Sequence, residues 1–188
     1  MDRPPGTRTA LYEGEALEAV LDRMAQHAAA LLAGRERLAV VGILRRGAPL
    51  ADLLCDRLTR VHGLRAPLRL DLRVKRYADD LTVLHPETRL SEDATHAALD
   101  LEGRSLLVVD DVLYSGHSLL RVLEYLVRRQ PAEVRVAMLV DRGVCSLPVH
   151  ADVVGRRLEI APGDIIECNV PPYEPDFRIE LLRPLRRA

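Results

Sequence analysis

Asp110 and Asp111 are adjacent carboxylates at the end of an apolar run, Leu106 to Val109, and a loop of mostly small residues, Tyr114-Ser-Gly-His-Ser118, follows them. Residue types in this order suit the holding of a phosphorylated sugar. Paired carboxylates can take up sugar hydroxyls or a magnesium ion. Backbone N–H groups from Tyr114 to Ser118 can wrap a phosphate, and a helix starting there adds partial positive charge. Gly116 permits close approach or a positive φ, and Ser115 and Ser118 bring hydroxyl donors. The same segment would also serve as a plain βα unit whose acids cap a helix or face solvent, so the other loops decide.

A second group is Arg45-Arg46-Gly47. Two arginines before a glycine can grip a diphosphate through side-chain forks and backbone amides, or can form a solvated turn. A third is Lys75-Arg76-Tyr77-Ala78-Asp79-Asp80, at the head of a polar stretch long enough to be a lid. The last is Asp141-Arg142-Gly143.

These groups need elements to position them. Leu38–Leu44 is a short apolar run with β-branched residues, a buried-strand pattern. Arg65–Val74 alternates as a half-buried strand does, and Glu133–Val140 reads as another strand. Short strands are also expected at Val149–Val154, Ile165–Val170 and Phe177–Leu182. Helical spacing runs through Glu13–Ala33, Ala48–Val61 and Leu119–Val127, with Gly34 and Pro131 as stops. Alternating strands and helices predict one α/β domain over residues 1–188, with a mostly parallel central sheet flanked by helices. Residues 1–12 read as a flexible leader, 76–95 as a flap hairpin and 141–188 as a small hood.

Composition limits the partners. A chain of 188 residues, 48% hydrophobic and 29% charged, fits a soluble domain with a sizeable core. Net charge near −1 argues against a surface built for non-specific nucleic-acid binding. The three cysteines are widely separated, with no CxxC pair and no zinc spacing. No signal core or membrane-length apolar run is present in the sequence, which leads us to expect a cytoplasmic location and no membrane partner.

Taken together, these segments resemble the type I phosphoribosyltransferases. Within that family the match is closest to the PyrR branch, pyrimidine-operon attenuation regulators with uracil phosphoribosyltransferase activity. The stretches carrying it are Val109–Gly116, Gly42–Gly47, Tyr77–Thr82, Leu139–Gly143 and Leu147–Gly155. Tyr114 stands where purine enzymes usually have an acid. The resemblance implies the type I phosphoribosyltransferase fold, with the flap and hood just described.

It also implies roles. Asp110 and Asp111 would contact ribose hydroxyls and Mg²⁺, with Tyr114, Ser115, Gly116, His117 and Ser118 around the 5′-phosphate. Arg45, Arg46 and Gly47 would form the diphosphate loop, with Arg46 counted among the catalytic groups. Tyr77, Asp79 and Asp80 would belong to the flap, and Asp141, Arg142 and Val154 would lie beside the base. The implied reaction joins uracil and 5-phosphoribosyl-1-diphosphate to give UMP and diphosphate. The alternative is an RNA-binding regulator that senses UMP or UTP, with weak transferase activity or none. A homodimer or higher oligomer is expected by the same resemblance.

The chain departs from the family at several positions. His117 stands where the family has Arg or Lys in the phosphate loop, and Ala78 replaces the arginine of the flap motif. Fewer cations facing phosphate imply a slower enzyme. Val144, Cys145 and His150, with Asp22 and Gln26 in the first helix, replace side chains that regulators present to RNA. RNA binding is therefore expected to be weakened, although Arg142, Arg156 and Arg157 persist.

Overall fold

The computed structural model describes residues 5–73 and 99–185. Five parallel strands form the central sheet: β2 (Leu38–Leu44), β3 (Leu68–Arg73), β4 (Ser105–Leu113), β5 (Glu133–Asp141) and β6 (Val153–Arg157). Their spatial order is β3-β2-β4-β5-β6. Three helices are described, α1 (Gly14–Leu31), α2 (Gly47–Arg60) and α3 (His117–Val127).

Alternation along β4 explains the layers. Leu107 and Val109 belong to a core shared with α1 and α2, whereas Leu106 and Val108 belong to one shared with α3. Successive strand residues point to opposite faces, so an apolar run buried on both sides needs helices above and below it. Helix α3 buries Leu119, Val122 and Leu126 on this sheet, each contributing roughly 1.5–3 kcal/mol.

The two central strands direct the site. β2 is followed by β3 on one side, while β4 lies on its other side in parallel register, Leu38 against Ser105 through Gly42 against Val109. Strand order therefore reverses between β2 and β4. Loops leaving such neighbouring carboxyl ends diverge and open a crevice.

A second sheet is antiparallel and ordered β1-β8-β7, built from β1 (Gly6–Glu13), β8 (Arg178–Pro184) and β7 (Ile165–Asn169). It packs on the α1/α2 side through Ile166, Cys168, Val170 and Ile179. This corrects the expectation of a leader at 1–12, since residues 6–13 are a strand paired with β8 from Gly6–Pro184 to Glu13–Arg178. Seven paired backbone positions against a formed edge outweigh the weak apolar character of Gly-Thr-Arg-Thr. The strand expected at Val149–Val154 lies further on, at Val153–Arg157, because pairing with β5 starts at Ala137–Val153. The expected flap, with Tyr77, Asp79 and Asp80, lies outside the described residues.

Candidate active site

The crevice is organised by a glycine. A Cβ on Gly47 would meet the Val109 carbonyl oxygen at 2.5 Å and Asp110 Cα at 3.0 Å. Only a residue without a side chain lets the start of α2 lie on β4 at this level. The arginine loop is thereby held against the acid pair. The Leu44–Arg45 peptide at its start is cis.

Asp110 and Asp111 are each only 4% exposed. Asp110 Oδ1 accepts the Asp111 N–H at 2.9 Å, and Asp111 Oδ1 accepts the Val112 N–H at 3.0 Å. Arg46 Nη1 stands 3.9 Å from Asp111 Oδ2. Its other edge is taken by Glu174, with Nε 3.1 Å and Nη2 2.5 Å from Oε1. Burial works against the Arg46 charge, but the Glu174 hydrogen bonds and the Asp111 and Glu174 charges outweigh it, so its pKa stands above the ordinary arginine value. The guanidinium of Arg45 lies 5.2 Å from the ring centre of Tyr173, a cation–π contact.

The phosphate-loop candidate lies beyond the end of β4. Gly116 has φ 88° and precedes the first turn of α3, whose initial N–H groups have no partner within the helix. The Ser115 carbonyl accepts Ser146 N–H at 3.2 Å and Ser146 Oγ at 3.1 Å. Because a trans peptide is planar, the Gly116 N–H then points away from the 145–146 segment. His117 Nδ1 lies 3.0 Å from Ser115 Oγ, so its ring folds back over the loop.

The third wall comes from β5 and β6. Leu113 pairs with Asp141, and the Arg142 N–H donates to the Leu113 carbonyl at 3.1 Å. The Arg142 guanidinium sits 4.3 Å from the centre of the Tyr114 ring. Asp141 Oδ1 accepts the Gly143 N–H at 2.8 Å. Val154 is half-buried on β6, beside β5.

Gly47 packs on Asp110 and Arg46 stands near Asp111, so the 45–47 loop meets the acid pair at the carboxyl ends of β2 and β4. The 114–118 loop follows β4, with Asp141 and Arg142 beside Leu113. Tyr173 and Glu174 also belong to this wall and escaped the sequence reading. They sit in a proline-rich connection that carries no periodicity, and Glu174 meets Arg46 across 128 positions.

The donor set can be tested against a cation. Among the described residues no group of three or more His, Cys, Asp or Glu side chains is placed to hold a metal ion by itself. Magnesium keeps much of its water and is usually bound by one or two carboxylates together with substrate phosphates. Two adjacent buried carboxylates beside an arginine loop fit that pattern.

An acid pair, a glycine-containing loop and an arginine loop thus stand at the carboxyl ends of a parallel sheet whose strand order reverses. Residues 7–175 match the Phosphoribosyl transferase domain, and the chain belongs to that family, in its PyrR branch. Among its relatives is the Bifunctional protein PyrR of Deinococcus radiodurans, 30% identical over 178 residues, covering 94% of this chain and 96% of that one. The protein of the same name from Thermus thermophilus is 34% identical over 149 residues, covering 79% and 81%. For fold, a hypoxanthine phosphoribosyltransferase of Trypanosoma cruzi in a ternary substrates complex superposes with a TM-score of 0.75, at 20% identity over 95% of this chain and 96% of that chain. A Staphylococcus aureus hypoxanthine phosphoribosyltransferase gives 0.69, at 19% identity over 84% and 80%.

Proposed function

We propose that the chain is a uracil phosphoribosyltransferase, converting uracil and 5-phosphoribosyl-1-diphosphate to UMP and diphosphate. The observation that carries this reading is the packing of Gly47 on Asp110, because it sets cations for the leaving group beside carboxylates for the sugar. Uracil N1 forms a bond to the anomeric carbon as the bond to diphosphate oxygen breaks, the electron pair leaves with diphosphate, and the N1 proton departs to solvent.

Positive charge builds on the ribose and negative charge on the leaving oxygens. Arg45 and Arg46 stabilise the leaving charge through fixed donors, while Asp110 and Asp111 bind ribose hydroxyls. The 114–118 amides hold the 5′-phosphate, which aligns the sugar for attack. Bound Mg²⁺ would be held by Asp110 and Asp111 and would neutralise diphosphate charge. Tyr77, Asp79 and Asp80 would close over the site. Asp141, Arg142 and Val154 would flank the base, with Tyr114 at a position where purine enzymes carry an acid. We read the location as cytoplasmic and the assembly as a homo-oligomer.

Purified protein incubated with labelled uracil, 5-phosphoribosyl-1-diphosphate and Mg²⁺ should form UMP. Asp111→Asn should slow turnover on the order of 10²-fold. No UMP from the unmutated protein would overturn the reading, and equal rates would remove Asp111 from the site.

The relatives' name, Bifunctional protein PyrR, supports a second reading, in which the chain regulates through RNA and senses UMP or UTP. Two of its retained arginines are already engaged within the molecule: Arg142 lies over Tyr114 and Arg156 lies 5.0 Å from the Tyr12 ring centre. Arg157 is exposed, 3.8 Å from Asp141. RNA binding should accordingly be weak. Filter binding to a pyrimidine-operon leader RNA should show little preference over unrelated RNA at the same salt, and tight selective binding would favour the regulator.

A further inference from the structure

Two carboxylates face the guanidinium of Arg46, and they face it unequally. Glu174 takes the Nε/Nη2 edge at 2.5 to 3.2 Å, whereas Asp111 Oδ2 stands 3.9 Å from Nη1. Glu174 is itself fixed, since it is buried and its Oε2 accepts the Val170 N–H at 2.9 Å. Next to it, Tyr173 lies against Arg45. Consecutive residues of one connection therefore hold consecutive arginines of the other loop.

From this geometry we infer that Glu174 is a positioning residue, holding the Arg46 fork so that it does not collapse onto Asp111. The inference rests on the proposed site and adds a residue to it. An arginine fork satisfied on one edge presents only its remaining N–H groups to the crevice. With Glu174 neutral, the only carboxylate charge left against Arg46 among its described partners is that of Asp111. A closed Arg46–Asp111 pair would occupy the oxygen needed for ribose or cation and the cation needed for diphosphate. Glu174 thus keeps two oppositely charged groups, less than 4 Å apart, both usable.

Glu174→Ala would also leave the Val170 N–H without its acceptor, so the informative variant is Glu174→Gln, which keeps shape and an acceptor oxygen. Calorimetry should follow 5-phosphoribosyl-1-diphosphate binding in Mg²⁺ for the parent, Glu174→Gln, Arg46→Ala and the double variant. We expect at least a tenfold loss of affinity in Glu174→Gln, thermal midpoints within a few degrees of the parent, and no further loss when Glu174→Gln is added to Arg46→Ala. Parent-like affinity in Glu174→Gln overturns the inference while leaving the proposed function standing. An equal added loss in the Arg46→Ala background also overturns it, because Glu174 would then act without Arg46. A parent protein that binds no 5-phosphoribosyl-1-diphosphate overturns the proposed function, and this inference with it.

Discussion

Gly47 and Asp110 are packed so closely that a methyl group on Gly47 would lie 3.0 Å from Asp110 Cα and 3.1 Å from its Oδ1. The arginine loop that enters helix α2 and strand β4 each supply a different charge to the site, and this contact fixes their spacing. Gly47→Ala must push the arginine loop off β4, because the obstructing atoms are mostly backbone. Overpacking of this kind costs about 1–3 kcal/mol. A lower urea midpoint together with weaker 5-phosphoribosyl-1-diphosphate binding is the expected result, and unchanged values in both would refute the close packing.

Gly116 is constrained twice. Its φ of 88° disfavours any side chain, and a Cβ there would meet Cys145 Sγ at 2.5 Å and Val149 Cγ2 at 2.8 Å. Gly116→Ala should therefore destabilise the fold by about 1–3 kcal/mol. Adding Cys145→Ala removes one obstruction but leaves the backbone strain, so recovery should be partial. Full recovery in equilibrium unfolding would mean that packing alone requires glycine here.

His117 is the first residue of α3, with its ring turned to Ser115 Oγ at 3.0 Å. His117→Arg should restore a permanent cation to the phosphate loop and lower KM for 5-phosphoribosyl-1-diphosphate roughly tenfold, a charged hydrogen bond being worth about 1.5 kcal/mol or more. The same change should cost a few tenths of a kcal/mol in stability, since a cation at a helix N-terminus opposes the dipole. Steady-state kinetics over a salt series checks it, and an unaltered KM would remove residue 117 from the phosphate contact.

Far from the crevice, Glu133 receives Arg35 Nε at 2.6 Å and Ser105 Oγ at 2.9 Å. The Arg35 hydrogen bond, opposed by burial and helped by Ser105, holds its carboxyl below the ordinary value of 4.5. A depressed native pKa adds stability above the unfolded value, and that stability disappears as pH falls through the native one. Glu133→Gln should thus be less stable than the parent near neutral pH, by about 1 kcal/mol. The gap should close as pH drops below the carboxylate range. Thermal unfolding across pH 3 to 7 would detect it, and a gap independent of pH would rule out charge as the cause.

The central sheet was legible because its strands obey a simple physical rule. Leu38–Leu44 reads as a continuous apolar run and is buried almost throughout. β1 was hidden because it is a partly exposed strand of mixed polarity, whose partner lies almost at the other end of the chain. Pairing of that range leaves no local trace. Arg45, Arg46, Asp110 and Asp111 could be singled out because each group abuts a strand pattern. Glu174 could not, since its importance arises from a contact across 128 positions that only the folded chain creates. The strand at 153–157 was misframed for a related reason: its frame is set by pairing with β5, and two arginines blur its end.

The β1–β8 pairing also orders events at the ribosome. β1 is translated before the parallel sheet and β8 after it, so β1 has to wait for its partner through synthesis of the whole sheet. β2, β4 and β5 can assemble earlier, with the arginine loop and the acid pair already side by side. Glu174 emerges only afterwards, just ahead of β8. A nascent chain therefore carries both charges of the crevice before it carries the residue that holds them apart, and translation must pass Glu174 before the crevice can take its described form.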